Sequence, residues 1–206
     1  MACWKLQGAL AAGNTVIIKP AENTSLSLLY FATLIKKAGF PPGVVNIVPG
    51  YGSLVGQALA SHMDIDKISF TGSTKVGGFV LEASGQSNLK DVTLECGGKS
   101  PALVDEIFGP VVVVSKFTNY DDALKLANDT CYGLASAVFT KDVKKAHMFA
   151  RDIKAGTVWI NSSNDEDVTV PFGGFKMSGI GRELGQSGVD TYLQTKAVHI
   201  NLSLDN

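Results

Sequence analysis

The residues best suited to chemistry in this sequence lie in three glycine-bearing segments. The first is Phe70-Thr71-Gly72-Ser73-Thr74-Lys75-Val76-Gly77-Gly78, between a strand-like and a helix-like run. A loop in that setting turns backbone N–H groups and a helix N-terminus outward, which suits phosphate. It fails the P-loop pattern, which needs Lys directly after its second Gly. It also fails G-x-G-x-x-G, which needs Gly where Thr74 stands. Taken alone it reads equally as a tight turn. The second segment is Leu94-Glu95-Cys96-Gly97-Gly98-Lys99-Ser100-Pro101. Glu95 sits at a strand end beside two glycines, where a ligand could approach the backbone closely. A solvated strand-end carboxylate is the plainer reading of Glu95. The third is Pro171-Phe172-Gly173-Gly174-Phe175-Lys176-Met177-Ser178-Gly179-Ile180-Gly181-Arg182-Glu183. So many glycines imply backbone packed on backbone or on ligand. Phe172 and Phe175 argue against a mere linker.

The elements that must position these segments alternate between strand and helix. Strand signals fall at 15–18, 44–48, 67–70 and 91–94, with helix signals at about 25–38, 53–60 and 74–83. Leu28, Phe31, Ala32 and Ile35 form the apolar stripe of the first helix. This spacing gives βαβ units and a mostly parallel sheet with helices on its faces. The theme returns as strands at 111–114, 134–139 and 157–160 and helices at 120–127 and 143–151. Tyr192 to Leu202 reads as a terminal strand. The 206 residues, with 45% hydrophobic, 18% charged and a net charge of −1, describe a globular chain rather than a disordered one. That charge does not suit a nucleic-acid binder. No apolar run is long enough to span a membrane, and the first ten residues do not read as a secretory leader. Cys3, Cys96 and Cys131 are too few and scattered for a disulfide framework, so a reducing, cytoplasmic setting is expected. His62, His147 and His199 are isolated, so no metal site is expected.

Five segments, in order, resemble the NAD(P)-dependent aldehyde dehydrogenases. They are Ile17-Ile18-Lys19-Pro20-Ala21-Glu22, the loop from Phe70 to Gly77, the segment from Leu94 to Pro101, Glu106-Ile107-Phe108-Gly109-Pro110-Val111, and the stretch from Pro171 to Glu183. The resemblance implies an α/β fold: a variant Rossmann-type, mostly parallel sheet with helices on both faces, a remnant of the catalytic domain, and a C-terminal assembly strand. The implied division is 1–104 for the NAD-binding domain, 105–172 for the catalytic remnant, and 173–206 for the glycine-rich return and oligomerisation strand. By the same resemblance Lys19 and Glu22 match the holders of the adenosine ribose, and Gly72 and Ser73 the pyrophosphate loop. Glu106 and Phe108 match contacts to the nicotinamide ribose. Glu95 matches the general base that activates water to hydrolyse a thioester intermediate. NAD is favoured over NADP, because a carboxylate near the ribose 2′ position disfavours a phosphate there.

The departures bear on activity. The family's nucleophilic cysteine lies between the general-base motif and the Glu-x-Phe-Gly-Pro motif, yet here only a few residues separate Pro101 from Glu106. The segment carrying the nucleophile is therefore absent. The match also starts just after the family's Pro-Trp-Asn motif, so its oxyanion-stabilising asparagine is absent too. Cys96 follows Glu95 on the strand and points to the opposite face; Cys131 lies in a turn. Loss of an essential nucleophile costs on the order of 10⁴ to 10⁶ in rate. Three behaviours remain open: a catalytically incomplete oxidoreductase of aldehydes, a non-catalytic NAD-binding module, or a homo-oligomer or assembly partner of full-length subunits.

Overall fold

A computed structural model of the chain describes residues 1–98 and 114–201. The first element, α1 (Ala2–Ala11), was not legible as a helix in the sequence. It buries Leu6, Gly8 and Ala9. Gly8 allows close approach: a Cβ there would lie 3.0 Å from the Tyr192 ring. The chain then forms β1 (Val16–Ile18), α2 (Ser25–Lys37) and β2 (Val45–Ile47). A π-helical turn over Gly52–Gly56 leads into α3 (Gln57–Ser61), followed by β3 (Lys67–Thr71), α4 (Thr74–Gln86) and β4 (Asp91–Glu95). Gly85 does not stop α4, which ends one residue later.

The strands pair as βαβ logic requires, with β1 on β2 and β3 on β4, both parallel. The mostly parallel sheet expected of the first half is divided: among the described residues β1–β2 is one sheet and β3–β4 belongs to another. Burial follows. Parallel strands in α/β folds are normally covered on both faces, yet β1 and β2 are only half-buried, with Ile17 exposed. The stripe Leu28, Phe31, Ala32 and Ile35 is the half-buried face of α2, but α2 buries no residue fully.

The second half contains α5 (Tyr120–Asn128), β5 (Tyr132–Gly133), β6 (Ala135–Val138), α6 (Val143–Asp152) and β7 (Thr157–Ile160). Asn119 and Asp142 cap α5 and α6 through their side chains, each accepting from a backbone N–H three residues on. β6 and β7 pair in parallel. The strand expected at 111–114 falls outside the described residues except for Val114, which is exposed and not in a strand.

The glycine-rich stretch forms β8 (Phe175–Lys176), β9 (Gly179–Ile180) and α7 (Gly185–Asp190). β8 pairs with β5 and β9 with β4, both antiparallel. This stretch therefore ties the two halves together. Residues 193–201 form no strand, contrary to the terminal strand expected from Tyr192. No strand among the described residues pairs with residues 193–200, and Val198 and Ile200 stand exposed. Among the described residues no helix is long and apolar enough to cross a membrane.

Candidate active site and cofactor cradle

Glu95 closes β4, where three segments converge. Its register partner on β3 is Thr71, and on β9 it is Gly179. The Gly72 N–H donates to the Glu95 carbonyl at 3.1 Å, and the Cys96 N–H donates to the Ser178 carbonyl at 2.8 Å. Ser178 is completely buried. Its hydroxyl donates to Gly97 O at 2.7 Å and accepts from Gly133 N at 2.9 Å. The end of β4 is thus fixed by β5 and by the β8–β9 hairpin.

The Glu95 carboxyl is not solvated, so the plainer reading of it fails. Glu95 is 4% exposed, and neither carboxyl oxygen has a hydrogen-bond partner among the described residues. It lies beside Gly173, where a Cβ would approach Oε1 to 3.0 Å. Burial, followed by the neighbouring Glu183 charge, pushes its pKa up to about 8; Lys5 and Arg182 pull the other way. A carboxyl so placed holds its proton near neutral pH and can exchange it there, as a general base or acid requires.

Sequence reasoning missed the groups around it. Glu183 is buried and accepts from the Lys5 ammonium of α1 and from the Ser69 hydroxyl of β3, the latter at 2.9 Å. Lys5 also donates to Ser69 Oγ at 2.9 Å. Arg182 donates to the carbonyls of Gly174 and Gly181 and lies 5.5 Å over the Phe175 ring. The available signal was the Arg182-Glu183 pair ending the third motif. Lys5 carried none, because α1 itself was not recognised.

The thiols do not meet this carboxyl. Cys96 Sγ packs toward α4, where a Cβ on Gly77 would meet it at 2.8 Å. Burial and the Glu95 charge push the Cys96 thiol up, away from thiolate character. Cys3 and Cys131 are exposed.

A second cluster follows β1. Lys19 Nζ donates to the carbonyls of Pro20, at 2.6 Å, and Gly50, at 3.1 Å. Glu22 Oε1 accepts from Gly52 N at 2.6 Å and lies 3.7 Å from Lys19 Nζ. The backbone N–H groups of Glu22 and Gly52, then the Lys19 charge, hold the Glu22 carboxyl below its ordinary range. An anchored ammonium beside an exposed carboxylate offers a donor and acceptors to a vicinal diol such as a ribose. Ser73 caps α4, its hydroxyl accepting from Val76 N at 3.3 Å. Lys19 and Glu22 therefore meet on the β1–β2 side, and Gly72 meets Glu95 on the β3–β4 side. Glu106 and Phe108 lie outside the described residues, as does the 101–106 junction.

A model of the aldehyde dehydrogenase family matches residues 1–106 and 103–198. Aldehyde dehydrogenase NAD(P)+ 1 of Saccharomyces cerevisiae is 62% identical over 333 residues, covering 100% of this chain and 66% of the yeast protein. That stretch is longer than this chain's 206 residues, so a segment of the yeast protein inside it has no counterpart here. An indole-3-acetaldehyde dehydrogenase of P. syringae, solved with NAD+ and IAA, superposes with a TM-score of 0.93 at 32% identity, covering 98% of this chain and 66% of that one. An aldehyde dehydrogenase of Bacillus cereus, solved with NAD+, gives a TM-score of 0.92 at 33% identity, covering 98% and 65%. The chain spans about two thirds of the length of the curated relatives it matches. The two family-model matches meet at 103–106, where the sequence brings the third and fourth of the five motifs abnormally close, and between them they take in nearly every residue; the chain belongs to the aldehyde dehydrogenase family.

Proposed function

We propose that this chain binds NAD in preference to NADP and holds the family's general base, but does not by itself oxidise aldehydes at a useful rate. The observation that carries the first part is the Lys19–Glu22 cluster, already anchored to Gly50 and Gly52. Lys19 would donate to ribose oxygens and Glu22 would accept from ribose hydroxyls. The Gly72–Ser73 turn would face the pyrophosphate, and Glu106 and Phe108 the nicotinamide ribose. A carboxylate at Glu22 repels a 2′-phosphate. The bound dinucleotide would supply a hydride acceptor. Glu95, buried and near Glu183, would take a proton from water at its carboxyl; Lys5 would hold the Glu183 charge beside it.

The missing activity follows from the thiols. Aldehyde oxidation in this family needs a thiolate that attacks the carbonyl carbon. Cys96 faces α4, away from the Glu95 carboxyl, and its thiol is held protonated. Residues 1–104 then form the cofactor domain, 105–172 a catalytic remnant, and 173–206 the return and assembly segment. The test is calorimetric titration of the folded chain with NAD and NADP, alongside an assay of aldehyde-dependent NADH formation. Saturable NAD binding without turnover supports the reading; turnover abolished by Cys96→Ala or Cys131→Ala overturns it.

A second reading, association with another copy or with full-length subunits, is favoured by the exposed apolar surface. Leu26 is 83% exposed and Tyr30 67% on α2, and Val198 and Ile200 of the tail stand exposed too. Such surface tends to be covered in solution. The free thiols suit a reducing cytoplasmic setting.

A further inference from the structure

Glu95 and Glu183 are two buried carboxyls set against neighbouring residues of one segment. Glu95 Oε1 faces Gly173, and Glu183 bridges to Phe172 through two backbone hydrogen bonds of 2.7 and 2.8 Å. Burial and then the Glu183 charge hold the proton on Glu95. Their donors are unequal. Glu183 Oε1 receives the Lys5 ammonium and the Ser69 hydroxyl. Glu95 receives no hydrogen bond from any described residue. Ser69 is the one neutral member of the set, and it works on both sides. Its oxygen accepts from Lys5 at 2.9 Å while its hydrogen goes to Glu183 at 2.9 Å.

We propose that the Ser69 hydroxyl is a positioning residue that keeps the proton on Glu95 by holding the Glu183 carboxyl and the Lys5 ammonium in place beside it. Ser69 accepts from Lys5 and donates to Glu183, and so fixes both groups on β3. Without that hydroxyl the Glu183–Lys5 pair loses its fixed place, and Glu95 ionises more readily. The other charged and titratable groups nearby are accounted for. On β3, Lys67 Nζ is bonded to Thr93 Oγ1 at 2.8 Å, with Asp91 of β4 acting on its charge. Tyr192, after α7, lies under Lys67 and against Ser69, its phenol pushed up by burial. Arg182 acts on Glu95 from the β9 side, and Cys96 follows Glu95 on β4. Among the described residues none of these donates a hydrogen bond to either carboxyl. The inference rests on reading Glu95 as the working base, but its test needs neither cofactor binding nor turnover.

The experiment is a pH titration of the full chain labelled at the glutamate side-chain carboxyl carbons, followed by NMR, with the Glu95 signal assigned through Glu95→Gln. In the parent chain Glu95 titrates near pH 8. In Ser69→Ala its midpoint falls by about one pH unit, a tenfold loss of proton affinity. Ser69→Thr, which keeps the hydroxyl, restores the parent midpoint. If the alanine variant does not fold, the matched pair Ser69→Thr and Ser69→Val makes the same comparison. An unmoved Glu95 midpoint in the hydroxyl-free variants overturns the proposal. So does a shift that threonine fails to restore.

Discussion

Gly179 pairs with Glu95 across the antiparallel strands β9 and β4, closing the end of the base-bearing strand with a glycine from the C-terminal segment. Gly179 has φ +139°, and a Cβ there would lie 1.9 Å from the Leu94 carbonyl oxygen. Only glycine accommodates both constraints. Gly179→Ala is expected to break the β4–β9 pairing, with a loss of roughly 2 kcal/mol or more. Loss of amide-exchange protection at Leu94 and Glu95, against unchanged protection in β6 and β7, checks it.

Ser178→Ala removes a buried hydroxyl that donates to Gly97 O and accepts from Gly133 N. A buried backbone N–H at Gly133 and a half-buried carbonyl at Gly97 lose their partner at once. The expected cost is about 1–3 kcal/mol, read as a lower denaturation midpoint with unchanged m. Because Ser178 touches neither Lys19 nor Glu22, cofactor affinity of the folded fraction is expected to stay the same.

The raised pKa of Glu95 fixes the sign of a pH effect. In the unfolded chain the carboxyl releases its proton near pH 4.5; in the folded chain it holds it to about pH 8. The folded state therefore binds more protons between these values, so this group's contribution to stability falls as pH rises through that window and levels off above it. Glu95→Gln removes the penalty. It is expected to stabilise the chain by on the order of 2 kcal/mol at pH 8 and by little at pH 4.5. Urea unfolding of parent and variant at both pH values reads the difference.

Much of this arrangement was legible in the sequence, for identifiable reasons. β1 to β4 carry β-branched runs bounded by turn residues, and α2 presents its stripe where 3.6-residue periodicity puts it. Glu95 was legible as a candidate because it closes a strand next to two glycines, and the family resemblance supplied its role as base. What could not be read was what surrounds it. Lys5 lies 178 residues from Glu183, and no local period links them. The division of the sheet was also hidden, since strand signals report that strands exist, not which neighbours they find. The tail from Tyr192 alternates like a strand, but pairing needs an edge, and no strand among the described residues takes it.

Lys19 and Glu22 should act on ligand rather than on folding. Both lie at the surface side of β1, and Lys19 is anchored to backbone carbonyls. Lys19→Ala and Glu22→Gln are each expected to weaken NAD about tenfold, the worth of one charge-assisted hydrogen bond. Unfolding midpoints are expected to move little. Glu22→Gln should also narrow the preference for NAD over NADP, because it removes the charge that opposes a 2′-phosphate.

The central claim is that the cofactor cradle is preserved in this chain, and calorimetric titration with NAD tests it most directly, once circular dichroism shows the chain folded. The account predicts saturable one-site binding that weakens about tenfold in Lys19→Ala. A folded chain that releases or absorbs no heat across the titration, and whose denaturation midpoint does not rise with NAD, would contradict it.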